Sequence, residues 1–317
     1  MYDEVAPRWV RVLGALAVQT LNGLQLGILL FLIAAGLTLT FGVMNFVNLA
    51  HGVQYMVGAY LAATFASLTG GFWSALALTL PTALAFGLAL EIVVFRWLYD
   101  RDHLSQILAT FGVILFLNQG VKTIWGAAPL SVPMPLALSG SIPLMPGLLF
   151  PVYRLALIVV GLATALALYL LINHTRVGML VRAGSTNAAM VSALGVNIRQ
   201  LFMLVFGFGA MLAGFAGALV APILSVEPGM GDNLLILAFV VIVIGGIGSI
   251  RGAFVAALLI GLVDMLGRSF SVDILRLMMA PSPARMVGPA IASMSIYLLM
   301  AIVLYFRPAG LFPTKGR

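Results

Sequence analysis

Residues 233–267 read NLLILAFVVIVIGGIGSIRGAFVAALLIGLVDMLG, and the only charged side chains among them are Arg251 and Asp264. As one helix rising 1.5 Å per residue this stretch would be about 50 Å long, against a hydrocarbon core of about 30 Å. The chain must turn inside it. Gly245, Gly246 and Gly248 mark the break, since glycine is the weakest helix former short of proline. The stretch therefore reads as two membrane segments, 233–248 and 251–267. Two complete crossings, or one crossing plus a re-entrant piece, satisfy the pattern equally.

The rest of the chain agrees with a lipid solvent. Of 317 residues 62% are hydrophobic and only 8% charged, with mean hydropathy +1.16. A soluble domain carries roughly a quarter charged residues, so there is too little charge here to coat a surface in water. Further apolar runs of spanning length lie at 22–44, 50–69, 73–97, 105–125, 152–172, 200–221 and 289–306. The expected fold is an all-α integral membrane protein, a polytopic helical bundle with about 8–9 membrane segments. Residues 1–317 form a single transmembrane unit, with a polar loop at about 173–199. The opening MYDEVAPRWVRVLG is charged, and the apolar run after it is too long for a signal-peptide core, so it reads as mature sequence.

The net charge of +7 points to orientation rather than to nucleic acid, because no basic stripe with interleaved aromatics exists. Arg96 and Arg101 mark one short loop, Arg176, Arg182 and Arg199 another, and Arg307, Lys315 and Arg317 the tail. All three groups fit the cytoplasmic side, which places the uncharged, proline-rich 126–150 opposite. Arg268, Arg276 and Arg285 fall on that opposite side too, against the trend. Small residues recur every four positions at Gly209, Ala213 and Gly217, at Ala210, Gly214 and Ala218, and at Ala253, Ala257 and Gly261. Such rows let helix backbones approach closely in lipid, and ordinary bundle packing accounts for them better than a dedicated dimer face.

Catalytic chemistry finds no foothold. There is no cysteine, hence no disulfide, thiolate metal site or cysteine nucleophile. The lysines, Lys122 and Lys315, lie in no phosphate loop. His51, His103 and His174 lack paired metal-ligand spacing, and no nucleophile elbow occurs. Glu91 and Asp264 are set in apolar helices, where ionisable groups are costly, but each has an arginine close by, Arg96 and Arg268. They form no chain of carboxylates of the kind an ion-coupled carrier needs. Asn45, Asn48 and His51 interrupt the apolar pattern between the first two segments; they either line a pathway or cap two helix ends in a tight turn. Within 173–199 a mildly amphipathic pattern through Met190 and Leu194 ends at Gly195, a natural helix stop. It reads either as a plain connector or as a docking element for another protein.

Four separated stretches resemble the LivH-type permease subunit of branched-chain amino acid ABC importers. They are GLTLTFGVMNFVNLAHGVQYMVGAY (36–60), RVGMLVRAGSTNAAMVSALGVNIRQ (176–200), AFVVIVIGGIGSIRGAFVAALLIG (238–261) and the tail RPAGLF (307–312). The resemblance spans nearly the whole chain in order. It implies a bacterial inner-membrane, multi-pass subunit that works with a second permease (a paralogue or an identical copy), two ATP-binding subunits and an extracytoplasmic substrate-binding protein. No cofactor is expected in this chain, since ATP and magnesium would be held by the ATPases. The ATPase-coupling residues implied are Arg176, Arg182, Met190, Leu194, Gly195 and Asn197; the pathway residues expected are Asn45, Asn48, His51 and Glu91. Two departures stand out. Ser185, Thr186 and Asn187 replace residues that are usually acidic in relatives, and EIVVFRWLYDRD (91–102) keeps Glu91, Arg96 and Leu98 but carries Phe95 and Trp97 where the Tyr-Arg-Pro-Leu-Arg run common in relatives has Tyr and Pro. The solute expected is a branched-chain amino acid or a related small amino acid, amide or urea. A self-sufficient channel or carrier, and a membrane-embedded enzyme, are the competing classes.

Overall fold

A computed structural model describes residues 8–145 and 148–313, the side chains of 8–12 and 145 excepted. The helices are α1 (Arg8–Met44), α2 (His51–Thr69), α3 (Phe72–Val93), α4 (His103–Trp125), α5 (Val152–His174), α6 (Arg176–Ala193), α7 (Ile198–Val220), α8 (Asp232–Gly245), α9 (Ile250–Leu275) and α10 (Pro281–Phe306). Between α4 and α5 a small antiparallel hairpin pairs β1 (Ser141–Met145) with β2 (Leu148–Pro151). Among the described residues seven helices are long and apolar enough to cross a membrane: α1, α3, α4, α5, α7, α9 and α10. The fold is the all-α polytopic bundle expected, with α2 and α8 as two further apolar helices held inside it.

The break at 245–249 settles the opening question. At 14 residues, α8 is about 21 Å long, too short for a full crossing. It ends where the Gly246 N–H reaches the Ile242 carbonyl at 2.9 Å. Gly246 and Gly248 then take φ values of 102° and 79°, a region that residues with a Cβ rarely adopt. The Ser249 side chain accepts from the Gly252 N–H at 3.1 Å and starts α9. A part-depth helix thus precedes a full one. The last two carbonyls of α8 are claimed from far along the chain: Leu311 N–H donates to Ile244 at 2.8 Å and Phe312 N–H to Gly245 at 3.0 Å.

α7 is the hub, and its small residues are why. Gly209 lies against Gly36 of α1, Gly214 against Gly58 of α2 and Ala83 of α3, and Gly217 against the Tyr55 backbone. On α9, Ala257 and Gly261 face Gly27 and Gly23 of α1. The four-residue rows therefore pack helices within the chain, where close backbone approach replaces the hydrophobic effect that lipid does not supply. α2 and α8 begin inside the bundle and meet there. A Cβ on Gly52 would lie 2.5 Å from the Gly231 carbonyl oxygen, so only glycine fits.

One end of the bundle gathers the end of α1, the α3–α4 connection, α6, the starts of α7 and α9, and the tail. Phe46 packs on Phe95 and Tyr99, Tyr99 on Phe202, and Gly184 sits by Val43 and Leu201. The other end carries the hairpin. There Trp125 donates to Thr64 at 2.8 Å, the Tyr153 hydroxyl to the Leu219 carbonyl at 2.8 Å, and Leu130 bridges to Val226. Arg96, Arg101, Arg176, Arg182, Arg199 and Arg307 all fall at the α6 end; Lys315 and Arg317 lie outside the described residues. The arginines that ran against the trend are partly neutralised. Arg268 pairs with Asp264 at 2.9 Å and Arg276 with Asp273 at 3.3 Å.

Helix limits differ from the apolar runs where polar groups find partners. α1 extends well before 22 because its polar Asn22 accepts from Arg154 of α5 at 2.7 Å. α10 starts at Pro281 rather than 289, with prolines in its first turn, where the missing N–H costs nothing.

Candidate functional site

Three groups of residues distinguish themselves from plain bundle packing. The first is α6. Thr175 caps it, accepting from the Gly178 N–H at 3.1 Å. Gly178 lets the helix turn sharply under α5, since a Cβ there would strike the Ile172 and Leu171 carbonyls. Arg182 donates to the Ile172 carbonyl, so this side chain ties α6 to the end of α5. Arg176, at the first position, lies beside that junction. At Asn187 the backbone leaves the helical region (φ −155°, ψ 90°) and its side chain accepts from Met190 N–H at 2.9 Å. α6 is thus two short helices joined by a kink that Asn187 itself caps. The second ends in a left-handed Gly195 with φ 89°, after which Val196 N–H returns to the Val191 carbonyl at 3.3 Å. Asn197 caps the next helix, accepting from Gln200 N–H at 3.2 Å. This rigid end presents two large apolar side chains outward, Met190 (63% exposed) and Leu194 (78% exposed).

The second group lies deep in the bundle. His51 starts α2, fully buried, with Nε2 3.0 Å from the Ile33 carbonyl inside α1. Asn48 is fully buried and neither of its amide atoms has a hydrogen-bond partner. Gln54, one turn beyond His51, is buried, and neither its amide atoms nor the His51 Nδ1 has a hydrogen-bond partner within the protein. The hydroxyls of Thr38, Tyr55 and Tyr60 are also buried without partners. A run of unsatisfied polar groups inside a lipid-soluble bundle is costly and is typical of places that exchange partners with water or solute. Asn45, at the mouth of this region, holds a left-handed φ of 50° and is exposed.

The third group surrounds Glu91, which is buried at the α6 end of α3. Its carboxylate accepts from Arg96 at 3.0 Å and from the Tyr99 hydroxyl at 3.2 Å. Burial, then the Glu91 charge, pushes the Tyr99 phenol well above its usual range, so it stays a donor. Glu91, Arg96, Trp97, Tyr99, Arg199 and Gln200 line a cleft of about 600 Å³ between the α3–α4 connection and α7. Next to it, Gln106 joins three segments: it accepts from Val47 N–H at 3.2 Å and donates to the Leu98 and Arg101 carbonyls at 3.2 and 3.0 Å. Asp102 caps α4 through Ser105, whose hydroxyl and then amide hold the carboxyl below the usual range.

Of the residues expected from sequence, Asn48 and His51 share the central polar region with Asn45 at its edge. Glu91 makes its contacts elsewhere, with Arg96 and Tyr99. The coupling set divides: Arg182, Gly195 and Asn197 shape α6 and its exit, while Met190 and Leu194 form its outer surface. Gly245, Gly246 and Gly248 make the helix break. Sequence reasoning missed Gln54 and Gln106, since a lone polar residue in an apolar run carries no pattern, while Tyr55 and Tyr60 belong to the stretch 36–60 that carries the resemblance but had no pathway role read for them. Among the described residues no group of three His, Cys, Asp or Glu could hold a metal ion.

Comparison with known proteins gives this geometry a family. Residues 19–304 match the family described as the permease component of branched-chain amino acid transport systems. The chain is 30% identical to the high-affinity branched-chain amino acid transport system permease protein BraD of Pseudomonas aeruginosa, covering 92% of this chain and 94% of that one. It is 29% identical to LivH of Salmonella typhimurium, named in the same way, over 80% and 86% of the two chains. More distantly, it is 27% identical to the ribose import permease protein RbsC of Escherichia coli over 70% and 71%. No solved structure matches. The chain belongs to the family of permease components of branched-chain amino acid transport systems, and is a multi-pass membrane permease.

Proposed function

We propose that this permease is the pathway-forming subunit of an ATP-binding cassette importer in the bacterial inner membrane. Its solute is a branched-chain amino acid or a related small amino acid, amide or urea. A second permease subunit, a paralogue or an identical copy, completes the pathway. Two ATP-binding subunits dock on the α6 end, where ATP and magnesium are held, and a binding protein delivers solute to the hairpin end.

The observation that carries this reading is the build of α6. A connector has no need of a kink, three side-chain caps in sequence, a tie to α5 through Arg182 and a left-handed glycine stop. Those features fix the direction of a short helix whose outer face is apolar, at the end of the bundle rich in arginine. Such a patch outside the membrane calls for a protein partner. Movement of the ATPases would then be transmitted to α5 and α7, to which α6 is joined. Solute and nucleotide can shift the inward–outward equilibrium only by binding one state more tightly than the other. The unsatisfied amides at Asn48 and Gln54 supply groups whose partners can change with state.

The test is co-purification of the ATP-binding subunits with wild type, Leu194→Asp, Met190→Asp and Arg182→Glu, followed by ATP-driven leucine uptake in proteoliposomes. The two aspartate variants should release the ATPases while the bundle elutes as wild type does. Arg182→Glu should retain part of the binding with poor coupling. If wild type binds no ATPase, and alone moves solute, the chain is a self-sufficient carrier instead.

A further inference from the structure

Asp232 is the first residue of α8, and its place is unusual for a carboxylate. α8 reaches the α6 end at Gly245, so at 1.5 Å per residue Asp232 lies about 20 Å inward of that end. A second marker gives the same depth. The neighbouring Gly231 packs on Gly52, next to His51, whose ring reaches the Ile33 carbonyl within α1. Asp232 therefore sits well inside a hydrocarbon core of about 30 Å. It is nevertheless exposed at the surface of the single chain, as is Asn233.

The other acidic groups set in the membrane helices are neutralised. Glu91 has Arg96 and Asp264 has Arg268. Among the described residues Asp232 has no ion-pair or side-chain hydrogen-bond partner. A bare carboxylate against lipid is strongly disfavoured, and such groups face water-filled cavities or other protein. The N-terminal end of α8, with its unpaired backbone N–H groups, is an electrostatically favourable place for an acidic side chain. The turn of chain packed against Gly231 adds an independent sign: Asn48 and Gln54 are buried there with unpartnered amides. Paired half-helices that start in mid-membrane are a recurring frame for solute sites.

We propose that Asp232 lines the water-filled solute pathway opposite the second permease subunit and receives the ammonium group of the amino acid as it passes. The proposal rests on the importer reading above. It assigns the pathway to the face where α8 begins and makes one carboxylate the group that separates zwitterionic amino acids from neutral amides.

The chain has no cysteine, so single cysteines can be read directly. Asp232→Cys and, as a lipid-facing control, Phe116→Cys on α4 (75% exposed) are placed in the assembled transporter. Each is treated with a charged, membrane-impermeant methanethiosulfonate. Asp232→Cys should react at least about tenfold faster than the control, since only a hydrated thiol forms the reactive thiolate, and leucine should slow it. Equal rates, or no reaction, would overturn the assignment. In parallel, Asp232→Asn should raise the KM for leucine by about tenfold or more, the scale of one charge-assisted hydrogen bond, while uptake of isovaleramide is spared and Asp232→Glu restores leucine. Retained ATPase binding shows that each variant is folded. If wild type binds no ATPase, the importer reading has failed; if it binds ATPase but moves no leucine, or if Asp232→Asn moves leucine equally well, only this inference has.

Discussion

Glu91 shows how a single buried charge is made tolerable, and what its removal does. Its carboxylate satisfies both Arg96 and the Tyr99 hydroxyl. Glu91→Ala should cost about 1–3 kcal/mol, because a phenol is left without an acceptor. Glu91→Gln, which can still accept from Tyr99, should cost less. The thermal midpoint of the purified transporter distinguishes the two. Asp102 gives a pH dependence with a definite sign. Ser105 holds its carboxyl below the ordinary value of about 4, so the cap on α4 is complete above that value and fades as pH falls beneath it. Acidification from pH 5 to 3 should lower the midpoint of wild type more than that of Asp102→Ala. Some of this was legible in the sequence. The Glu91–Arg96 and Asp264–Arg268 pairs follow from their spacings of five and four residues in the sequence. Asp232 was not, since at the edge of an apolar run it looks like an ordinary interfacial residue until the fold shows how deep that edge lies.

At the scale of elements, the long helices were readable because each apolar run matches the thickness of the hydrocarbon core, and the break after α8 because three glycines cluster there. Their meeting was not readable. That α2 and α8 begin head to head depends on Gly52 and Gly231, distant in sequence, and only packing reveals it. Gly52→Ala should therefore be far worse than its chemistry suggests. Its Cβ would sit 2.5 Å from a backbone oxygen, and overpacking of this kind costs about 1–3 kcal/mol or more. Reduced yield of folded protein on size exclusion, with Gly112→Ala in open space as the unaffected control, is the expected result. The kink of α6 escaped the sequence for a different reason. Asn187 serves at once as helix interior and as cap, and local propensity does not say which.

For the whole molecule, the arginine bias and the clustering of helix ends agree on one orientation. Leu194→Cys at the α6 end and Leu136→Cys in the α4–α5 connection (92% exposed) should react from opposite faces of the membrane, the first only from the cytoplasm. Labelling of both from one side would overturn this topology, and labelling of Leu194→Cys only from outside would invert it. The clamp that Leu311 and Phe312 place on α8 adds a dimension of time. At about 5–20 residues per second those residues leave the ribosome on the order of 3–13 s after Gly245. Throughout that interval α8 has left its last carbonyls bare. The nascent bundle is therefore incomplete at its α6 end until residues 311 and 312 arrive to close it.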